Sequence, residues 1–186
     1  GAGATVIDGG GLDRVLHILG DEHPELLLYG VTVTGGQALT ASTLLGGGAL
    51  IEVLSTLRLD HCAGSGNAAN QGGGVMAYPG GEVDIRDSSL TGNSAVYVVG
   101  PEQGAAIMLM AFASLSLRSS TVSGNSLSGY GVAVRGETAS LTIVNSTIAD
   151  NSSGGVSSWN GETTIVNSTI TGHQAWGLQF SSNDGS

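Results

Sequence analysis

Three aspartates and two arginines recur at spacings that could bring them together on one surface. Asp60 lies 26 residues before Arg86, Arg118 follows 32 residues later, and Asp84 and Asp87 flank Arg86. Carboxylates in such a group bind Ca²⁺ or act as a general acid and base, and arginine clamps the carboxylate of a sugar acid. The alternative is a ladder of ion pairs on a solvated sheet, each worth about 0–1 kcal/mol. We favour the ladder and assign no catalytic residue outright.

A second candidate surface consists of hydroxyl side chains. Threonines that recur in a Thr-x-Thr pattern would form two neighbouring columns, which serines fill out. The threonines are Thr32, Thr34, Thr91, Thr121, Thr147, Thr169 and Thr171. A flat, regular hydroxyl face suits binding to ice or to glycans, whereas the simpler explanation is that threonine is favoured on exposed strands.

A third candidate is an apolar column that we expect to face outward. It consists of Leu50, Met76, Met108 and Met110, with Tyr78 beside them. Contiguous exposed apolar surface marks a protein interface or a covering segment. The apolar insertions near 37–45 and 95–103 would provide such a cover.

All three surfaces depend on an internal repeat. Five short blocks share one pattern of small, apolar and amide residues: Cys62-Ala63-Gly64-Ser65-Gly66-Asn67, Ser88-Ser89-Leu90-Thr91-Gly92-Asn93, Ser120-Thr121-Val122-Ser123-Gly124-Asn125, Ser146-Thr147-Ile148-Ala149-Asp150-Asn151 and Ser168-Thr169-Ile170-Thr171-Gly172-His173. Aligned on their central residue, and starting from Val33, the blocks are 31, 26, 32, 26 and 22 residues apart. A variable period around a constant pattern indicates coils of fixed cross-section that carry loops of different length.

Each coil contains three short strands. An alternating strand such as Leu57-Arg58-Leu59 precedes the block, and a small-residue corner with a third strand, such as Gly74-Val75-Met76-Ala77, follows it. Alternation puts the aliphatic residues on one face, and no helical period occurs. The sequence therefore predicts an all-β fold, a right-handed parallel β-helix of six to seven coils of 22–32 residues.

The asparagines that close the blocks predict a ladder at one bend. Asn67, Asn93, Asn125 and Asn151 would stack, with each amide bridging to the next coil. Because asparagine tolerates a left-handed backbone, we expect these residues to form the bend themselves. Cys62 falls in the inward serine column, which predicts a buried thiol.

The repeats resemble those of right-handed parallel β-helix proteins with a pectate-lyase-like fold, particularly polymorphic outer-membrane protein-type and bacterial cell-surface β-helices. Gly47-Gly48-Ala49-Leu50 matches one motif of these proteins, and Leu90-x-x-Asn93 matches a second with an aliphatic residue in place of phenylalanine. The resemblance covers residues 4–182. It implies surface display or secretion and adhesion, and it implies no catalytic residues.

The composition of the chain limits the kinds of partner and cofactor that it is expected to bind. The chain has 15 acidic and 5 basic residues, for a net charge of −10, which disfavours nucleic acid because no basic patch exists to release counterions. There is no long apolar span, so we expect no membrane insertion by this segment. The four histidines are dispersed, so we predict no metal site of their own; Ca²⁺ on the aspartates is the one cofactor that the residues suggest.

These observations together favour a non-catalytic module. We expect a single domain, residues 1–186, that is a piece of a longer chain and is extracellular or on the cell surface. Its function would be structural or adhesive, with partners that are copies of itself, stacked end to end or laterally, or glycans and proteins of a cell surface. The alternatives are a polysaccharide lyase or glycoside hydrolase that uses the Asp60/Asp84/Arg86/Arg118 face, and an ice- or glycan-binding protein that uses the threonine columns.

Overall fold

The computed structural model describes residues 4–20, 22–39, 45–96 and 103–182, which coil through four all-parallel sheets. Sheet A contains β1 (Thr5–Asp8), β4 (Val31–Thr34), β8 (Ala63–Ser65), β12 (Ser89–Thr91), β16 (Thr121–Ser123), β20 (Thr147–Ala149) and β23 (Thr169–Thr171). Sheet B contains β2 (Leu16–Ile18), β6 (Ala49–Ile51), β10 (Val75–Ala77), β14 (Gln103–Leu109), β18 (Gly131–Glu137), β21 (Gly154–Trp159) and β24 (Leu178–Ser181). Sheet C contains β3 (Glu25–Tyr29), β7 (Thr56–Asp60), β11 (Glu82–Arg86), β15 (Ser114–Arg118), β19 (Ser140–Val144) and β22 (Glu162–Val166). Sheet D contains the two-residue strands β5 (Gln37–Ala38), β9 (Ala68–Ala69), β13 (Ser94–Ala95) and β17 (Ser126–Leu127).

The chain visits sheets C, A and B in turn, as the repeat predicts. The central residues of the blocks are direct neighbours in sheet A, and the aligned series is Val33, Gly64, Leu90, Val122, Ile148 and Ile170. Sheet A has seven strands, so the described chain makes seven coils. Sheet D is an addition that the sequence pattern did not reveal, because a two-residue strand is too short to show an alternation.

The core is a column of aliphatic side chains inside the coils. Leu57, Ile85, Leu117 and Ile143 lie in adjacent strands of sheet C and are all but fully buried. Each such side chain contributes about 1.5–3 kcal/mol. Cys62 belongs to the same cluster, which confirms the predicted buried thiol. Only neighbouring coils cover one another, so stability is built up coil by coil.

The asparagine ladder is present, but the prediction that its members have a left-handed backbone is wrong. Asn67 Nδ2 donates to Asn93 Oδ1 at 3.0 Å, and the next two bonds of the ladder measure 3.1 and 3.0 Å. The left-handed residue is instead the one before each asparagine, with φ of 64° at Gly66, 62° at Gly92 and 61° at Gly124. Glycine makes the bend at no steric cost, which leaves the asparagine side chain free to point inward.

A serine ladder runs along the corner between sheets C and A. The backbone N–H of Ser88 donates to Ser120 Oγ at 3.1 Å, and that of Ser120 donates to Ser146 Oγ at 3.2 Å. Each of these hydroxyls also donates to the carbonyl two residues earlier in its own coil, at 2.5–2.8 Å. Cys62 replaces serine at one end, where its N–H donates to Ser88 Oγ at 2.9 Å. This corner is therefore fixed by side chains as well as by the sheets.

In sheet B the alignment derived from sequence is wrong by two residues at one strand. Alignment of the repeated third strands, Ala106-Ile107-Met108-Leu109 and Gly131-Val132-Ala133-Val134, predicts that Val132 and Val134 lie beside Ile107 and Leu109, but Ile107 pairs with Val134 and Leu109 with Gly136. The register shifts between Gly104 and Ile107, as at a β-bulge, which inserts a residue into one strand only. This insertion moves the register by one residue, so it does not by itself account for the two-residue error.

The apolar column predicted to face outward lies apart from the main core and is buried, as expected if a segment covers it. Leu50, Met76 and Met108 are 1%, 0% and 2% exposed, and they form a cluster separate from the main core with Tyr78 and Met110 packed against it. Leu45, from the insertion near 37–45, also packs against this cluster. Most of the two insertions, 40–44 and 97–102, lies outside the described residues, although Gln37–Ala38, Ser94–Ala95 and Gln103 are strand rather than loop. These side chains thus pack within the chain.

Helices long and apolar enough to cross a bilayer are not found among the described residues.

Candidate functional site

The outer face of sheet C brings the predicted charged residues together. Arg58 lies beside Asp84, and Asp60, Arg86 and Arg118 lie side by side in successive strands. Both alignments agree with the sequence prediction. The row that contains Asp60, Arg86 and Arg118 continues with Val144 and Val166. The charged part of this row therefore ends at β15, the fourth strand of the sheet.

The ion pairs on this face differ from those expected. Arg58 Nε contacts Glu25 Oε1 at 2.8 Å, in β3, rather than Asp84 in β11. Arg86 pairs along its own strand, with Nη2 at 2.9 Å from Asp84 Oδ2 and Nε at 3.2 and 3.1 Å from the two carboxylate oxygens. Residues two apart in a strand share a face, and the long arginine side chain reaches back along it. Asp84 is therefore already occupied by a cation.

Charge on this face is reflected in the pKa of Arg86. The hydrogen bond and charge of Asp84, with smaller contributions from Asp60 and Asp87, raise the pKa of Arg86 above its usual value. The guanidinium is fully exposed, so the pair is strongly screened and is a weak source of stability.

A shallow groove of about 310 Å³ runs over the middle of the same face. Arg58, Arg86 and Arg118 line it together with Glu82 and Asp84, and serine and threonine hydroxyls complete the wall. Arg118 Nε donates to Ser116 Oγ at 3.0 Å, and among the described residues Arg118 has no carboxylate within ion-pair distance. Three of the five arginines of this acidic chain thus line one groove.

At the end of β7 the structure forms a cluster that the sequence analysis did not assemble. One donor atom from each of Asp60, His61 and Asp87 lies within 4.8 Å of the other two. Asp84, the third predicted ligand, is absent from this group because it contacts Arg86. His61 was set aside since the histidines are dispersed along the chain. The repeat could have revealed this cluster, because His61 and Asp87 are 26 residues apart, which equals the spacing of their two blocks and places them at the same corner of successive coils.

The hydroxyl columns lie on the outer face of sheet A as predicted. One column contains Thr32, Ser89, Thr121, Thr147 and Thr169, with Ala63 in the series, and the other contains Thr34, Ser65, Thr91, Ser123 and Thr171, with Ala149 in the series. Thr34 Oγ1 donates to the carbonyl of Ser65 at 2.7 Å. The hydroxyls of Thr91, Thr121 and Thr147 have no hydrogen-bond partner in the described part of the chain. They are available to water or to a ligand.

The last described coil exposes positions that are core in every other coil. Leu178 and Phe180 align with the buried pairs of sheet B, yet they are 46% and 53% exposed. Strands β22, β23 and β24 each pair on one side only. At the opposite end the inward residues Ile7, Leu26 and Leu28 are only partly buried. Both ends of the described solenoid therefore present unpaired backbone and apolar side chains.

Comparison with known proteins identifies the architecture. A family model described as "Right handed beta helix region" matches residues 29–186. No curated protein and no solved structure matches the chain. The match spans six of the seven coils and both candidate faces.

Proposed function

Since the chain belongs to the right-handed beta helix family, we propose that it is a non-catalytic module of the cell surface or the extracellular space. Its role is structural and adhesive: the outer face of sheet A contacts glycans, and the ends of the solenoid contact further copies. The family itself supplies the scaffold, and the outward side chains supply the contacts.

The observation that carries this proposal is the hydroxyl face of sheet A. Two columns of threonine and serine stand in register through successive coils, at the strand spacing of about 4.8 Å. Glycan hydroxyls form hydrogen bonds with protein hydroxyls that have no other partner. Among the described residues, the hydroxyls of Thr121 and Thr147 have none. A regular row binds through many weak bonds at once, as an adhesive surface does.

The charged outer face of sheet C also favours a non-catalytic role. A catalyst would need a general base in the groove that is able to take a proton. Asp84 is held by Arg86 and Asp60 by His61 Nδ1, at 2.5 Å. Two of the three candidate carboxylates are thus held in pairs with neighbouring side chains.

The adhesive role is tested on a glycan array with a double variant. Thr121→Val and Thr147→Val remove two hydroxyls while keeping the shape and the strand preference. A hydrogen bond contributes about 0.5–1.5 kcal/mol, so we expect retention on the bound glycans to fall about tenfold. Thr164→Val, on the outer face of sheet C, is the control and should bind as the parent does. Failure of the parent chain to bind any glycan, or equal binding by all variants, would refute adhesion through sheet A. Thermal hysteresis in ice-growth assays, without glycan binding, would identify the face as ice-binding instead.

A second candidate function follows from the groove on sheet C. Arg58, Arg86 and Arg118 in one groove suit a polymer of sugar acids, and a lyase or hydrolase would act there. The test is the Ca²⁺-dependent release of unsaturated sugars from uronate polymers, read by ultraviolet absorbance. Product release by the parent chain that Arg118→Ala abolishes would establish the enzyme. The absence of product release from every polysaccharide in a panel would favour the scaffold role.

A further inference from the structure

The corner that joins sheets C and A carries three side chains whose donor atoms converge. Asp60 is the last residue of β7, His61 follows it, and Asp87 occupies the equivalent corner one coil later. His61 and Asp87 have left-handed backbones, with φ of 53° and 46°. Their N–H groups donate to the carbonyls of Arg86 and Arg118, each at 3.1 Å. The main chain therefore holds the two residues one above the other.

The donor set is chemically mixed, which separates it from an acidic patch. It contains one imidazole nitrogen and two carboxylates, all within 4.8 Å of one another. Zinc accepts nitrogen and oxygen donors at about 2.0–2.2 Å, whereas Ca²⁺ takes oxygen ligands only. Around a tetrahedral zinc ion the donor atoms stand about 3.3–3.6 Å apart. His61 and Asp87 are exposed and Asp60 is half-buried, and closing the remaining gap requires their side chains to rotate.

We propose that Asp60, His61 and Asp87 form a binding site for a divalent transition-metal ion of the zinc type. His61 Nδ1 lies 2.5 Å from Asp60 Oδ1, so a proton lies between them; the ion takes the place of that proton on Nδ1, and the ligating imidazole carries its one proton on Nε2. The two carboxylates balance the charge of the ion, and water fills the remaining coordination position.

The surroundings leave room for the ion and its water. A depression of about 490 Å³ adjoins His61 and Asp87, and Ser89, Ser119 and Thr121 provide hydroxyls along it. On the other side the ring of Tyr29 lies against His61, with centroids 5.2 Å apart. Arg86 is the nearest cation on the same strand, and its guanidinium is engaged by Asp84. Neither Asp60 nor Asp87 forms an ion pair with an arginine in the described part of the chain.

The experiment is isothermal titration of the untagged chain with zinc chloride and, separately, with calcium chloride. We expect one zinc ion per chain and a much weaker response to calcium. His61→Ala and Asp87→Asn should each weaken zinc binding at least tenfold. His17→Ala is the matched control, because His17 pairs with Glu52 at 2.9 Å on another part of the surface.

Folding and binding are separated by recording circular dichroism spectra of every variant. A variant that keeps the parent spectrum but loses zinc supports the site. The proposal is overturned if the parent binds no zinc at micromolar concentration, or if it binds calcium as tightly as zinc. It is also overturned if the folded His61→Ala protein binds zinc as the parent does. If His61→Ala and Asp87→Asn both lose the β spectrum, His61→Gln and Asp87→Ser are used instead, and the same criteria apply.

Discussion

At the scale of single residues, the asparagine ladder fixes the corner after each strand of sheet A. Asn93 is fully buried and uses both ends of its amide. Its Oδ1 accepts from the N–H and Nδ2 of Asn67 at 3.1 and 3.0 Å, and its Nδ2 donates to the carbonyl of Gly64 at 3.0 Å. A buried polar group without a partner costs about 1–3 kcal/mol, so one asparagine protects several neighbours.

Removal of one ladder amide should be strongly destabilising. Asn93→Ala removes the acceptor of the Asn67 N–H, one of the two acceptors of Asn67 Nδ2 and a donor to the carbonyl of Gly64, and we expect the free energy of unfolding to fall by about 3–5 kcal/mol. Chemical denaturation measures this change. Asn145→Ala, at an exposed left-handed corner, should cost only about 1–2 kcal/mol. Similar losses in the two variants would mean that the ladder is not a source of stability.

His173 takes the asparagine position in the last coil and makes stability depend on pH. Burial lowers the pKa of His173 below 6.5, while hydrogen bonds to the backbone of Ile148 and Asn151 and the charge of Asp150 oppose that shift. The folded state thus favours the neutral ring, and the unfolded state binds a proton first as pH falls. The stabilisation is complete above pH 6.5 and is lost as pH drops from 6.5 towards the folded pKa.

Replacement of His173 by the ladder residue should flatten this dependence. We expect the thermal unfolding temperature of the parent chain to drop between pH 7.5 and pH 5.5 by more than that of His173→Asn. His23→Asn, at an exposed position, should keep the parent slope. Parallel curves for the parent and His173→Asn would contradict the assignment.

At the scale of elements, the corner between sheets B and C uses left-handed residues, and three of the five, Leu54, Phe112 and Thr138, are poorly suited to that backbone. Leu54, Gly80, Phe112, Thr138 and Asn160 occupy this corner with φ between 51° and 74°. A left-handed backbone is costly for residues other than glycine and asparagine, and most of all for β-branched ones. Strand lengths and stacking therefore decide the corner, and local preference does not.

Thr138→Gly should stabilise the protein, against the usual effect of glycine. The φ of Thr138 is 51°, and its two corner bonds, to Trp159 O at 2.6 Å and from Phe112 N at 2.8 Å, use the backbone alone. We expect a gain of about 1 kcal/mol in the free energy of unfolding, measured by denaturation. Thr142→Gly, inside β19, should lose stability by a similar amount. A loss at both positions would show that Thr138 is not strained.

The sequence predicted the coils well because the repeat reports the stacking directly. Leu90, Val122 and Ile148 align in the chain and lie side by side in sheet A. Two local features were not predicted. The register shift at Gly104–Ile107 depends on a single inserted residue. The left-handed bend is formed by Gly92 and not by Asn93, because the asparagine side chain is needed inside the coil. The cluster of Asp60, His61 and Asp87 was not assembled from the sequence, since it joins residues of two coils through a corner.

At the scale of the whole molecule, the proposed end-to-end association would use the exposed end coils. Phe180 is an inward position on the last described coil and is half exposed. Burial of such a side chain contributes about 1.5–3 kcal/mol, which weakens an association about 10- to 150-fold when it is lost.

If copies stack through their ends, Phe180→Asp should abolish association. We expect the sedimentation coefficient of the parent to rise with concentration and that of Phe180→Asp to stay constant. Phe112→Asp replaces another exposed phenylalanine, at a corner between sheets, and should behave as the parent. Dispersed monomers of the parent at high concentration, in sedimentation and in electron micrographs, would refute stacking.

The hydrogen bonds of the asparagine and serine ladders give the solenoid a polarity along its axis. The amide-to-amide bonds of the asparagine ladder run from an earlier coil to a later one, while each amide also donates back to a carbonyl of an earlier coil. The N–H to hydroxyl bonds of the serine ladder run forward as well. Aligned dipoles polarise one another in a low-dielectric interior. A copy added in the same orientation extends this alignment, whereas a reversed copy sets donors against donors. Association by the ends thus favours an open, polar fibre over a closed two-fold dimer.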